Sequence, residues 1–473
     1  MSLIDLSRWQ FALTVSFHMT FPAITVGLSA FLCVIYGMYW RSKKPVYLQM
    51  FRFWRRIFAV GFALGVVAGA VITFQMGLNW GVFGAKTGPI IGPIIGMEVV
   101  TAFFVEAGFI GIMLYGEGRV KHATMFVSTV MVTIGTVLSS TWILAANSWM
   151  QTPAGFTEKN GQFQPTDWVA AIFNPAFVWR WPHQLLAVLI SGAFFIAGIS
   201  AYYLVKGRAK AFSRRSLSIA LGVATVLLPF QLIVGDGTAG NVDVAHQPAK
   251  IEAIEGNWNN TNTGWMIFDI PDQAEQRDIF SISVPWLGSA INKDLSGHTA
   301  TPGLQNTPKD DQPLMVATFW GFRAMFFASL FMWASIFISF VLRLRRRLWE
   351  SRGFHRYVMW TTPVGILAII GGWVTSEAGR QPWVVYGLLR TSQAVSKLAP
   401  GTVLFSVIGF STVYAALLVG YILYIVRTVK IGPERDHPDA MPDPTPQGSV
   451  LAELLGTVQP VDAAALPVEE VAR

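Results

Sequence analysis

The stretch Gly372-Trp373-Val374-Thr375-Ser376-Glu377-Ala378-Gly379-Arg380-Gln381-Pro382-Trp383 continues an apolar run over 358–375. That run reads as a membrane helix, for which about 20 apolar residues cross the hydrocarbon core. A carboxylate such as Glu377 at the end of such a helix is costly unless something there needs it. Two other apolar stretches carry a histidine, His18 and His183, and a third carries Arg323-Ala324-Met325. Carboxylate, imidazole and thioether inside one bilayer together point to bound metal cofactors.

Working outward, 53% of the residues are hydrophobic and only 13% are charged, with a mean hydropathy of +0.47. Soluble domains carry about 25% charged residues, so the class is an all-α, polytopic membrane helix bundle. The first apolar run begins near Gln10 and outlasts the roughly 7–15 residues of a signal-peptide core, so it is read as a retained span. Cys33 is the single cysteine, which excludes disulfides and thiolate clusters built within the chain. The 18 Trp fit interfacial belts. A net charge of +8 would point to nucleic acid in a soluble protein. Here it is attributed to basic cytoplasmic loops, and no nucleic-acid partner is expected.

About nine spans satisfy the length requirement: roughly 11–38, 57–81, 95–116, 124–147, 182–205, 216–236, 314–342, 358–376 and 402–426. Of the 35 Lys and Arg, 23 fall on one side, in the loops 41–56, 119–121, 206–215 and 343–356 and the C-terminal tail; 11 fall on the other, and Arg323 lies within a span. The positive-inside rule then places the N-terminus outside and the C-terminus in the cytoplasm. The expected organisation is helices one to six over 1–236, a periplasmic loop over 237–313, helices seven to nine over 314–430, and a flexible tail over 431–473. Connections beyond about 12–15 residues are usually functional or disordered. Trp258, Trp265 and Trp286 favour a folded, substrate-facing lid for the long loop. No internal repeat, Walker loop or dinucleotide fingerprint is present.

His18, in Ser16-Phe17-His18-Met19-Thr20, reads either as a packing histidine bonded to a backbone carbonyl or as an axial haem ligand. His183 follows Trp181-Pro182, and Pro182 suits the first turn of a helix. Paired with Met325, it would make a six-coordinate electron-transfer haem, with the Arg323 guanidinium available for a propionate. Arg323 and Met325 point about 200° apart, so the arginine would have to reach around the haem edge. Met325 taken alone reads equally as core filling. Glu98 and Glu106 are eight residues apart, about 80° past two full turns and about 12 Å along the axis. That suits a proton relay better than a metal clamp, the alternative being two carboxylates satisfied by helix-packing hydrogen bonds. Lys250 and Glu255 could bond quinone oxygens and accept quinol protons, or form a solvated helix face.

The constellation resembles subunit I of the cytochrome bd family of quinol oxidases, over nearly the whole chain to about residue 430. The resemblance rests on Gly-Arg-Gln-Pro-Trp at 379–383 after Glu377, the histidine of span one, Trp-Pro-His at 181–183, Phe-Arg-x-Met at 322–325, and Gln-Pro-Ala-Lys at 247–250 with Glu255 beyond it. The loop is similar to the family's short quinol-loop form, and the Phe17-His18 region to its cyanide-insensitive branch. The resemblance implies that His183 and Met325 ligate the low-spin haem b558, with Arg323 near its propionates. It implies that His18 and Glu377 each ligate one of two high-spin haems, b595 and d (or a haem b replacing haem d), with Arg380 beside them. It also implies that Glu98 lies close to the high-spin pair, that Glu106 carries protons from the cytoplasm, that Trp373 packs between haems, and that Lys250 and Glu255 face ubiquinol. The implied partners are a haem-free subunit II, a one-helix third subunit, quinol, O2 and the lipid bilayer.

The expected activity is therefore a terminal oxidase that takes electrons from quinol at the outer face. It would reduce O2 to water with cytoplasmic protons, building a proton motive force without pumping. One alternative is a haem b electron-transfer protein without oxygen chemistry, which usually pairs two histidines across helices. The other is a proton-coupled transporter using Glu98, Glu106 and Arg323.

Overall fold

The computed structural model describes residues 2–260, 263–291 and 302–436. Among the described residues, nine helical segments are long and apolar enough to cross a membrane. They are Leu3–Ser42 (span one), Pro45–Leu78 (two), Gly81–Tyr115 (three), His122–Gln151 (four), Pro175–Lys206 (five), Lys210–Val244 (six), Met315–Leu344 (seven), Arg352–Arg380 (eight) and Pro400–Ile431 (nine). Each expected span has its counterpart, and most are longer than the apolar run that signals them.

Span two shows why. Arg52, Arg55 and Arg56 were expected in a loop but stand on the helix, because acidic partners meet them there. Arg52 and Arg55 pair with Glu117 at 2.7 and 3.2 Å, and Arg56 lies 2.5 Å from Asp436. Span six likewise runs on as helix to Val244, into the segment expected to be loop. The start of the expected flexible tail is docked: Pro433–Asp436 forms a short 3-10 turn, and its Pro433 carbonyl accepts from Gln49 Nε2 at 2.8 Å. The tail residues 437–473 lie outside the described residues.

Two spans are broken where the sequence removes a helical donor. Span one divides into Leu3–Thr20 and Pro22–Ser42, with Pro22 opening the second helix. Span eight divides into Arg352–Trp360 and Val364–Arg380 around Pro363. Span three stays continuous but carries a π-turn at Val99–Phe103.

In a bilayer, helices gain little from hiding apolar surface from one another, so close packing and small residues hold them together. Gly27 of span one and Gly192 of span five meet backbone to backbone. A Cβ on Gly27 would lie 2.8 Å from the Val188 carbonyl oxygen, and one on Gly192 2.7 Å from the Gly27 Cα. This crossing fixes the spans that carry His18 and His183. At the basic end the core is aromatic: Trp54 stacks on Phe212 with centroids 6.1 Å apart, and Phe53 meets Phe212 edge-on at 5.2 Å.

Among the described residues, the connections at the opposite end carry three two-stranded antiparallel hairpins, small additions to the all-α bundle. The long loop is folded over its described part: a helix Pro248–Glu255, then a hairpin of Trp265–Asp272 with Arg277–Val284. Arg323 of span seven ties the two together. Fully buried, it donates to the Met266 carbonyl through Nε at 2.9 Å and a terminal nitrogen at 2.6 Å, and to the Ile254 carbonyl. Its guanidinium also lies over the rings of Phe319 and Trp265, 4.1 and 4.6 Å from their centroids.

Candidate functional site

Glu377 sits in the last turn of Val364–Arg380, one turn before the helix ends. Its Oε1 accepts from Asn147 Nδ2 at 3.1 Å and Gln151 Nε2 at 3.2 Å, and its Oε2 pairs with Arg380. Arg380 is buried and also donates to the Val384 carbonyl at 2.8 Å. Gln151 leads onward: its Oε1 accepts from Lys250 Nζ and Gln247 Nε2, both at 2.9 Å. Lys250 is buried and also pairs with Asp243 at 3.2 Å. The structure thus joins Glu377 and Lys250, 127 positions apart in sequence, through one amide. Lys250 lies beyond the membrane spans. Burial pulls its ammonium below the usual lysine range, and the Asp243 carboxylate opposes that pull.

Glu255, five residues on, is directed elsewhere. Five residues turn a helix by about 500°, or 140° net, so the two side chains face different neighbours. Burial raises the Glu255 carboxyl above the usual range, against the pull of Arg323.

His18 lies in the last turn before the Pro22 break. Its Nδ1 bonds the Gly65 carbonyl at 3.1 Å, and its ring lies against Gly69, where a Cβ would approach Cε1 to 3.2 Å. A ring nitrogen tied to a carbonyl leaves Nε2 oriented for a metal, the usual arrangement of a ligating histidine. His183 is approached by Gln231 Nε2, 3.2 Å from Nδ1, and lies over Gly235, where a Cβ would approach Cε1 to 3.3 Å. Met325 faces Gly372, where a Cβ would come 3.0 Å from Sδ. Met325, Leu186 and Leu227 pack against the same buried cluster, which includes Ile190, Leu228 and Ala328; Leu186 and Leu227 stand about one turn from His183 and Gln231 respectively. Counted at 1.5 Å per residue from the helix ends nearest the long loop, Glu377, His183, Met325 and His18 lie about 5, 12, 15 and 22 Å deep.

Glu98 and Glu106 both turn toward span four. Ser139 Oγ donates to Glu98 at 2.9 Å, while a Cβ on Gly135 would fall 2.5 Å from Glu106 Cγ. The π-turn between them accounts for this. One extra residue in a turn resets the phase by about 100°, converting the expected 80° offset to about −20°. By the same count they lie about 25 and 37 Å from the loop end, Glu106 nearer the basic end.

The residues present suit a large polar cofactor. Among the described residues, buried polar atoms without a hydrogen-bond partner include Asn147 Oδ1 and Arg380 Nε beside Glu377, Trp373 Nε1 one turn earlier, and Gln231 Oε1 beside His183. Arg180 lies over Trp373, 5.8 Å from the ring centroid, and donates to Ser376 at 3.0 Å. The orphaned donors Arg380 Nε and Trp373 Nε1 beside Glu377, and the glycine-lined faces beside His18, His183 and Met325, fit haem propionates and ring edges. No group of three or more His, Cys, Asp and Glu that could hold a metal by itself occurs among the described residues.

Sequence reasoning missed Asn147, Gln151, Arg180, Gln231 and Asp243. Asn147 and Gln151 stand one turn apart at the end of an apolar helix, a spacing that places two amides on one face.

The sequence model of the family described as "Cytochrome bd terminal oxidase subunit I" matches residues 6–433. The chain is 34% identical to the "Cytochrome bd ubiquinol oxidase subunit 1" of Bacillus subtilis (strain 168), covering 93% of this chain and 97% of that one. It is 29% identical to the "Cytochrome bd-II ubiquinol oxidase subunit 1" of Escherichia coli (strain K12), covering 91% and 97%. The structure superposes on the bd oxidase of Geobacillus thermodenitrificans with a TM-score of 0.83 at 26% identity, covering 91% of this chain and 98% of that one. The chain belongs to the cytochrome bd terminal oxidase subunit I family and is a multi-pass bacterial inner-membrane subunit of a quinol:oxygen oxidoreductase.

Proposed function

We propose that this subunit holds three haems: a low-spin haem b558 between His183 and Met325, and two high-spin haems, b595 and d or a haem b in its place, on His18 and Glu377. The haems, when bound, would supply one-electron transfer and oxygen binding. The chain's own residues do the rest. Gly65 holds the His18 ring in one tautomer. Asn147, Gln151 and Arg380 hold and orient Glu377. Arg323 and Arg380 supply positive charge for propionates, and Trp373 fills the space between cofactors.

Quinol is oxidised at the loop end, where Lys250 bonds a quinone oxygen and Glu255 accepts a proton. Protons for oxygen reduction enter from the basic end along Glu106 and Glu98, whose shared face toward span four favours a relay. The N-terminus is periplasmic, so quinol protons leave outside while oxygen reduction consumes protons from inside. The reading includes a haem-free subunit II, a one-helix third subunit, and ubiquinol as the quinol. The observation that carries it is the buried bond chain from Lys250 through Gln151 to Glu377, at the same end of the bundle as His18, His183 and Met325.

The test is haem content and ligation in the assembled oxidase bearing His18→Ala, His183→Ala or Glu377→Gln. The expected result is loss or conversion of one distinct haem signal in each variant. Retention of all three signals in any one would remove that residue from the ligand set.

A further inference from the structure

We propose that Gln151 is a positioning residue that couples the quinol contact Lys250 to the carboxylate Glu377, so that events at one are felt at the other. The inference rests on the proposed roles of those two residues. An ammonium only donates and a carboxylate only accepts. Lys250 therefore fixes the Gln151 oxygen at one end, and Glu377 fixes its nitrogen at the other. The Lys250 bond is 2.9 Å and the Glu377 bond 3.2 Å, with Gln151 and Lys250 both buried. The amide cannot rotate without reversing both bonds. Such a chain polarises along its length in a low dielectric.

Neighbours hold the amide from both sides. Gln247 Nε2 donates to the Gln151 backbone and side-chain oxygens at 2.7 and 2.9 Å, and Gln151 Nε2 also reaches Ser376 Oγ at 3.3 Å. Beside it, a cavity of about 180 Å³ lined by Gln151, His246 and Tyr386 opens toward the loop surface. A ligand that draws Lys250 toward itself loosens the ammonium–amide bond, and the amide then binds Glu377 differently.

The experiment is a double-mutant cycle on the holoenzyme with its partner subunit, read by equilibrium redox titration of the visible spectrum without turnover. Lys250→Met alone should change the reduced-to-oxidised ratio of one high-spin haem at fixed potential by about threefold or more, the low end for residues in one hydrogen-bond network. In a Gln151→Met background the same change at Lys250 should have no further effect. Additive effects would overturn the coupling while leaving haem binding and quinol oxidation as read. If Gln151→Met fails to assemble, Gln151→Asn reads the link: its amide is one carbon shorter and does not span from Lys250 to Glu377. It should keep the quinol KM and shift the high-spin haem, whereas a raised KM with an unmoved haem would overturn the proposal.

Discussion

Replacing Arg323 with methionine should release the folded loop from span seven. The side chain is fully buried, and its guanidinium donates to the carbonyls of Ile254 and Met266. One belongs to the helix Pro248–Glu255 and the other to the hairpin strand Trp265–Asp272. Methionine of similar length keeps much of the packing against Phe319 and Trp265 but leaves both carbonyls without a donor. Each unsatisfied buried carbonyl costs about 1–3 kcal/mol, so the loop's opening should become about 2–4 kcal/mol easier once water reaches part of the site. At about 1.4 kcal/mol per decade, that is a rise of roughly 30- to 1000-fold in the open population. The assay is amide hydrogen exchange of the assembled oxidase in detergent, resolved by peptide. Peptides from 248–256 and 265–284 should exchange faster by that factor, while those of span five should not. Unchanged protection in the loop, with loss of the low-spin haem band, would refute the reasoning. Arg323 would then act on the haem rather than on the loop.

Met325→Leu should leave the high-spin haems and convert the low-spin haem to a five-coordinate spectrum; an intact reduced low-spin band would remove Met325 as ligand. Gly27→Val would place its Cβ 2.8 Å from the Val188 carbonyl. The forced separation of spans one and five should lower the thermal midpoint of the haem-loaded oxidase by the equivalent of about 1–3 kcal/mol or more, measured by loss of the Soret band on heating. Asp269, in the hairpin and outside the spans, is pushed up to about 7 by burial and by the neighbouring Asp278 carboxylate. A raised carboxyl keeps its proton longer in the folded hairpin than in the opened one. Its contribution is therefore full below about pH 4 and is lost as pH rises through about 7. Hairpin protection, corrected for intrinsic exchange, should fall across that window in the wild type and change less in Asp269→Asn.

The spans were legible because a membrane helix writes itself in composition. Twenty apolar residues admit few other readings, and all nine runs became helices. Their ends were less legible. Span two gains three turns because Glu117 and Asp436 reach Arg52, Arg55 and Arg56, and no local pattern announces partners so distant in sequence. The ligand candidates could be picked out because an ionisable or soft side chain stands out in an apolar run. Their environment could not: Asn147, Gln151, Gln231 and Asp243 look like ordinary polar residues near helix ends until the fold aims them at Glu377, His183 and Lys250. The relation of Glu98 to Glu106 was read on an ideal helix, and the π-turn between them altered the angle while preserving the shared face. Arg323 was expected at a propionate. The fold also has its guanidinium join two parts of the loop to span seven, through the Ile254 and Met266 carbonyls.

The central claim is that one chain carries a low-spin haem and an oxygen-reactive high-spin pair. Its most direct test is a reduced-minus-oxidised visible spectrum of membranes holding this subunit with its partner, repeated under carbon monoxide. The account predicts b-type bands together with a carbon monoxide-sensitive component. A chlorin band in the far red would identify haem d at the oxygen site, and its absence a haem b there. Six-coordinate haem alone, with no response to carbon monoxide, would contradict the account.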